Sequence, residues 1–191
     1  MKCVNSQFVE TLEVKQSKFI AHIIPYKGYA VALEILKQEH LKARHFVVAY
    51  RYLNEFNQVI EHSSDDREPK GTSGKPCLMV LQGANIINSA VIVVRYFGGT
   101  KLGAGGLVRA YSDAVNLVLG LAELSDYKEE ITLKISFKYA NIRRVEYECK
   151  QYKICIVEKT FDKETVFEIK SDESNINMFF KKIDRLVKIV E

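Results

Sequence analysis

The most constraining feature of this chain is an apolar run that leads through a glycine-rich stretch towards an amphipathic helix. Residues 90–95 are mostly β-branched, which is typical of a strand buried on both faces. Residues 97–106 contain five glycines, and residues 107–121 place apolar side chains at helical spacing. A strand, a glycine loop and a helix N-terminus in this order form a natural cradle for a phosphate group.

The preceding part of the chain mixes strand and helix patterns. Residues 8–14 and 18–24 alternate loosely and predict a hairpin that turns at residues 15–17. We further predict helices over residues 29–40 and 76–84, and strands over residues 45–52 and 59–64. Between them, residues 65–75 are polar and rich in turn formers, so they are predicted to form a surface loop.

A polar stretch at residues 125–130 indicates a domain boundary, which divides the chain into residues 1–125 and 126–191. The second part has a separate succession of predicted strands and helices, with one turn at residues 162–164. Strands are predicted at residues 131–137, 154–161, 165–170 and 187–190, and helices at residues 143–151 and 175–186. This βαββαβ order is that of a ferredoxin-like domain. The predicted fold class is therefore α+β, with two domains.

Charge and glycine are concentrated in one region of the chain. Residues 69–112 contain five basic residues and no acidic residue, and residues 71–106 hold eight of the ten glycines, although the net charge is only +4. Unneutralised positive charge attracts anions, and successive glycine amides can form a nest around them. The predicted anion or RNA-phosphate site comprises Lys70, Gly71, Thr72, Ser73, Lys75, Arg95, Tyr96, Gly98, Gly99, Lys101, Gly103, Gly105, Gly106 and Arg109.

Two named nucleotide-binding motifs fail on this loop. Ala104 stands where a Walker A motif has lysine, and Val108 stands where a dinucleotide fingerprint has glycine or alanine. The alternative is that the glycines serve tight turns and helix–strand packing. Beside the loop, Tyr96 and Phe97 are candidates to stack on bases, and the alternative is that aromatic residues at strand spacing belong to the core.

Three acids precede the first glycines: Asp65, Asp66 and Glu68. They are candidates for Mg²⁺ ligands or for a general base, and the alternative is that they are solvated or paired with nearby basic residues. Thr72 and Ser73 are alternatively helix caps. No nucleophile–base pair is recognisable, so the sequence favours binding over catalysis.

The chain shows no metal-ligand spacing and predicts neither a metal site nor a cofactor. Its four cysteines form no C-x-x-C pair and are expected to be free thiols. No apolar run is long enough to cross a bilayer, and the first residues do not resemble a signal peptide. We therefore expect no membrane partner and a cytoplasmic location.

Three segments resemble the signature of the IMPACT family, in its bacterial YigZ-like form. They are SKFIA at residues 17–21, EPKGTSGKP at residues 68–76 and VIVVRYFGGTKLGAGGLVRAY at residues 91–111. The resemblance implies a ribosomal protein S5 domain 2-like fold for the first domain and a ferredoxin-like second domain. It also implies a role in RNA binding or translational control. Arg67 and Val47 depart from the family pattern, which has glycine and often cysteine there.

Three functions remain open on this reading. The first is binding of RNA or a ribosomal surface through the basic glycine-rich site. The second is a protein-interaction module in stress signalling, in which the same site binds an acidic partner. The third is a Mg²⁺-dependent enzyme that acts on a nucleotide or phosphorylated small molecule.

Overall fold

The computed structural model describes residues 1–162 and 164–190. Residue contacts divide the chain into two compact units, Met1–Tyr127 and Lys128–Glu191. Each unit combines helices with an antiparallel sheet and has its own hydrophobic core. The predicted α+β class is confirmed.

The first unit is built on a five-stranded antiparallel sheet of order β2-β3-β6-β4-β5. A short pair, β1 with β7, joins the two ends of the unit. Part of the polar stretch predicted as a boundary is thus a strand. The strands are β1 (Lys2–Val4), β2 (Phe8–Val14), β3 (Ser17–Pro25), β4 (His45–Leu53), β5 (Val59–Ser64), β6 (Ser89–Tyr96) and β7 (Leu124–Asp126); the helices are α1 (Tyr29–Glu39), α2 (Gly74–Gly83) and α3 (Gly103–Leu121).

Strand β6 lies at the centre of this sheet and is buried on both faces, as its β-branched sequence predicts. Side chains alternate along the strand, so Val91 and Val93 join the core beneath α2 and α3. Ile92 and Val94 instead join a smaller core beneath α1. Consecutive residues at the end of β6 therefore reach opposite sides of the molecule.

The hairpin of β2 and β3 closes through Lys15 and Gln16, which both have positive φ angles of 47° and 63°. Val14 pairs directly with Ser17, so the loop has two residues. Positive φ at both positions matches the twist of the flanking strands. The turn is therefore tight and has a defined register.

Helices α2 and α3 of the first unit begin earlier than the sequence predicts. Helix α2 starts at Gly74, which places Pro76 in the first turn, where its missing N–H costs no hydrogen bond. Helix α3 starts at Gly103 rather than at residue 107. Gly103 is consequently the first residue of a helix, and Gly105 and Gly106 lie within it rather than in a loop, because the long amphipathic segment that follows propagates the helix back through Gly105 and Gly106.

The second unit has a four-stranded antiparallel sheet of order β11-β8-β10-β9. With the βαββαβ succession, this order confirms the ferredoxin-like arrangement. Phe137, Phe167 and Phe179 lie in its core, and Lys163 of the predicted turn lies outside the described residues. The elements are β8 (Glu130–Phe137), α4 (Ile142–Gln151), β9 (Cys155–Phe161), β10 (Thr165–Asp172), α5 (Glu173–Ile183) and β11 (Lys188–Val190).

All four cysteines are free thiols, with Cys77 and Cys149 buried. Among the residues that the structure describes, no helix combines the length and the apolar character required to span a bilayer.

Candidate anion-binding surface

Arg95 is not an exposed phosphate ligand, contrary to the sequence prediction. It ends β6 on the face covered by α2 and α3, and only 5% of its surface is exposed. Its Nη1 donates to Glu68 Oε1 over 2.5 Å, and its guanidinium lies 5.3 Å from the centre of the Phe19 ring. The buried carboxylate neutralises this cation, so Arg95 has no charge to offer a ligand.

The same carboxylate holds helix α3. The Tyr111 hydroxyl donates to Glu68 Oε1 over 2.8 Å. Burial and the neighbouring Glu68 raise the pKa of Tyr111, so its hydroxyl remains a donor. One buried oxygen therefore joins the loop after β5, the end of β6 and helix α3.

The first glycine segment is organised by an internal anion. Asp65 accepts hydrogen bonds from the backbone N–H groups of Gly71, Ser73 and Gly74, at 2.8, 3.2 and 2.8 Å, and from the Ser73 hydroxyl at 2.7 Å. Burial acts to raise the pKa of Asp65, but these hydrogen bonds outweigh it and lower the pKa below its usual value. The amide nest predicted to bind phosphate is thus occupied by a carboxylate of the chain itself.

The remaining residues of this loop also have structural contacts. Thr72 is buried and donates its hydroxyl to the Pro69 carbonyl, and Ser73 is fully buried. Ser73 stands at the N-cap of α2 but makes no side-chain capping bond, because Asp65 takes that role. Lys70 and Lys75 are exposed.

The three acids do not form one metal or catalytic cluster. Asp65 caps α2, and Glu68 is paired with Arg95 inside the protein. Asp66 Oδ2 accepts from the Phe46 N–H over 2.6 Å, which fastens the loop to β4. Across the described residues, no group of three or more His, Cys, Asp or Glu side chains is arranged to hold a metal ion.

The structure also places Tyr96 and Gly98 outside the predicted site. Tyr96 lies on the α1 side of the sheet, where its hydroxyl is 2.8 Å from His40 Nδ1. Gly98 lies against the turn between β2 and β3, and a Cβ there would be only 2.0 Å from the Gln16 carbonyl carbon. Its N–H donates to Ser17 Oγ over 3.1 Å. Packing explains this glycine, whereas the adjacent Phe97 is 42% exposed.

The start of α3 remains open. Gly99 and Gly103 have φ angles of +87° and +74°, which only glycine adopts readily. Gly106 is tight, because a Cβ there would be 3.1 Å from Leu102 Cβ. Gly105 is exposed and has no atom within 4 Å of an added Cβ, so neither packing nor backbone geometry explains it.

Helix α3 lacks the usual devices that satisfy a helix N-terminus. Leu102 makes no side-chain capping bond, and the first turn contains no acidic residue. The first N–H groups of a helix have no partner within the helix, and they carry partial positive charge. Lys101 precedes this turn and Arg109 follows it one turn after Gly105, both with exposed side chains. We call Lys101, Gly103, Gly105, Gly106 and Arg109 the α3 surface.

Sequence reasoning missed a second basic region. Arg44, His45 and Arg67 line an open cavity of about 410 Å³ together with Ala43. Arg67 donates to the Arg44 carbonyl over 3.2 Å, and His45 Nδ1 is 2.8 Å from the Asp66 carbonyl. Residues 44 and 67 are distant in sequence, and the pairing of β4 with β5, continued by the hydrogen bond from Phe46 N–H to Asp66, brings them together.

The fold and the α3 surface define a class of two-unit α+β proteins with an exposed, glycine-rich helix start beside a central antiparallel strand. Residues 15–119 match the family model described as the Impact N-terminal domain, which covers more than half of the chain. The chain belongs to the IMPACT family.

Individual relatives support this assignment. An IMPACT family member of Haemophilus influenzae is 37% identical over 171 residues, which cover 87% of this chain and 82% of that protein. The IMPACT family member YigZ of Escherichia coli is 41% identical over 110 residues, which cover 56% of this chain and 54% of that protein. A crystal structure described as that of a hypothetical protein superposes with a TM-score of 0.74 over 99% of this chain and 95% of its own, at 25% identity.

Proposed function

We propose that this protein is an RNA- or ribosome-associated binding protein in translational control, and that the α3 surface binds phosphate. Family membership supports the role, and one structural observation supports the site. An uncapped, exposed helix start lies between Lys101 and Arg109, while the other glycine segment is already filled by Asp65. Such a protein would act in the cytoplasm, where translation takes place.

The physical argument for phosphate begins with the helix. The free amides and the dipole of a 19-residue helix favour an anion at its N-terminus. Gly105 leaves the backbone bare, which lets a phosphate oxygen approach the amides closely. Lys101, just before the helix, and Arg109, one turn after Gly105, add two exposed positive charges near this end of α3.

Two further cations lie on elements next to the α3 surface. Lys70 and Lys75 are exposed on the loop and on the first turn of α2. Helix α2 packs against α3, and Glu68 ties the loop to Tyr111 of α3. A polyanion bound at the α3 surface would therefore find additional positive charge on the neighbouring elements.

Salt-dependent binding of single-stranded RNA tests the proposal. Fluorescence anisotropy with a labelled oligonucleotide should show an affinity that falls steeply with NaCl, because phosphate contacts release counterions. The double variant Lys101→Ala/Arg109→Ala should bind about tenfold or more weakly, and its salt slope should fall by about 0.7 for each lost contact. A matched control, Lys181→Ala/Lys182→Ala, removes the same charge from exposed positions of α5 and should bind like the wild type.

Three results decide the proposal. No RNA affinity at low salt rejects it. An equal loss of RNA affinity in both double variants would mean that binding depends only on net charge, and it would also reject the α3 surface as the site. Capture of a nuclease-resistant partner that is lost in Lys101→Ala/Arg109→Ala would favour the alternative, a module that binds an acidic protein.

A further inference from the structure

A second concave site lies on the α1 side of the sheet. Its volume is about 270 Å³, close to the lower end of the range for small-molecule pockets. Its walls combine aromatic rings with a few polar groups, which is the usual composition of a ligand site. Its walls include Tyr29, Phe46, Tyr50, His62 and Asp66.

Four aromatic rings lie in the walls of this cavity, those of Tyr29, Phe46, Tyr50 and His62. The ring centres of Tyr29 and Tyr50 are 4.9 Å apart, and those of Tyr50 and His62 are 5.0 Å apart with the planes at 25°. Tyr26 and Tyr52 extend the group as a parallel stack at 4.0 Å. Tyr29 and Tyr50 are half-buried and His62 is exposed, so ring surface remains accessible from solvent.

The cavity adjoins the basic one that contains Arg44 and Arg67. Phe46 and Asp66 line the aromatic cavity, whereas the preceding His45 and the following Arg67 line the basic cavity. One pair of hydrogen-bonded segments, joined by Phe46 N–H to Asp66, therefore separates the two. The Arg67 Nε also lies 3.6 Å from Asp66 Oδ1 at this boundary, with the Arg67 side chain 78% exposed.

We infer that the aromatic cavity binds a nucleobase, whose attached phosphate is directed to Arg44 and Arg67. Base stacking on tyrosine or histidine is tolerant of sequence, because every base has a π-face. Guanidinium groups match the geometry of phosphate oxygens. The base is supplied either by an unpaired nucleotide of RNA, in which case the inference rests on the proposed function, or by a free nucleotide.

Calorimetric titration with adenosine 5′-monophosphate and with ribose 5-phosphate, which lacks the base, tests the cavity directly. We expect the nucleotide to bind about tenfold or more tightly than the sugar phosphate. Tyr29→Ala/His62→Ala should abolish this preference, and Tyr139→Ala, at a 72% exposed tyrosine of the second unit, should keep it. Arg44→Ala/Arg67→Ala changes two exposed side chains. It should weaken the binding of adenosine 5′-monophosphate but not the binding of adenosine.

A parallel RNA titration separates this inference from the proposed function. Oligonucleotides with and without abasic positions are compared at one salt concentration. If both bind equally and the mononucleotide does not bind, the nucleobase site is rejected while RNA binding through phosphate stands. If the mononucleotide binds as expected and no RNA does, the cavity is upheld with a free nucleotide as its ligand and the proposed function is rejected. If neither binds, both are rejected.

Discussion

Glu68 and Arg95, which are 27 positions apart in the sequence, form a buried ion pair. Their side chains are 4% and 6% exposed, and the carboxylate also accepts the Tyr111 hydroxyl. The pair fastens the polar loop to both β6 and α3. It makes Arg95 a structural residue.

Removal of one partner should destabilise the first unit strongly. Glu68→Ala leaves the Arg95 charge buried without a counterion, so we expect the free energy of unfolding to fall by about 3–5 kcal/mol. Urea denaturation measures this. Arg67→Ala, at a neighbouring exposed side chain, should change stability by less than about 0.5 kcal/mol. The double variant Glu68→Leu/Arg95→Met should lose less stability than either Glu68→Leu or Arg95→Met alone. A loss in the double variant equal to the sum of the two single losses would contradict a coupled pair.

Asp65→Asn should lose a pH-dependent share of stability. The pKa of Asp65 is lowered in the folded state, so its carboxylate stabilises the fold above the unfolded-state pKa of about 3.9, and this contribution is lost as the pH falls through the lower folded-state pKa. At neutral pH the loss should be about 1–2 kcal/mol, the size of a helix-cap effect. Thermal denaturation of both proteins should give melting temperatures that converge below pH 4. A difference independent of pH would contradict this role.

Two glycine-to-alanine substitutions should act in opposite directions. Gly98→Ala places a Cβ 2.0 Å from the backbone of Gln16 and should cost about 1–3 kcal/mol or more. Gly105→Ala meets open space in a helix and should stabilise by up to about 1 kcal/mol. Chemical denaturation measures both. If the α3 surface binds phosphate, Gly105→Ala should also weaken RNA binding despite its greater stability; unchanged affinity would show that the bare backbone is not used.

His22 should titrate far below an ordinary histidine. Burial, with a smaller effect of His40, lowers its pKa from 6.5 to about 4. Between these values the unfolded chain binds a proton that the folded chain does not, so stability should fall as the pH drops from 6.5 towards 4. NMR titration of the four histidines should show one resonance with this low midpoint, and His22→Gln should flatten the stability profile in this window. A midpoint near 6.5 would contradict the buried neutral imidazole.

Sequence periodicity predicted the elements that depend on local pattern. The β-branched run became the central strand β6, and the spacing of apolar residues in 107–121 became the buried face of α3. Pro76 was correctly expected in a first turn. These features follow from side-chain alternation and backbone chemistry, which neighbouring residues determine.

The site could be predicted only in part, because whether each charged group or amide is free to bind a ligand depends on partners that are distant in sequence. Whether Arg95 is free depends on Glu68, and whether the glycine amides are free depends on Asp65. Gly98 is explained by Gln16, which is remote in sequence. A count of basic residues and glycines does not reveal these pairings. Within the part of the chain that the structure describes, Lys101, Gly105 and Arg109 have no such contact and retain their predicted exposure.

The carboxylate of Asp65 also determines when the loop becomes ordered. Its hydrogen bonds fix the backbone between β5 and α2 as soon as the chain folds, with no requirement for an outside anion. The entropy loss of ordering this segment therefore does not oppose association. A partner that docks beside this loop meets backbone that Asp65 already holds in place.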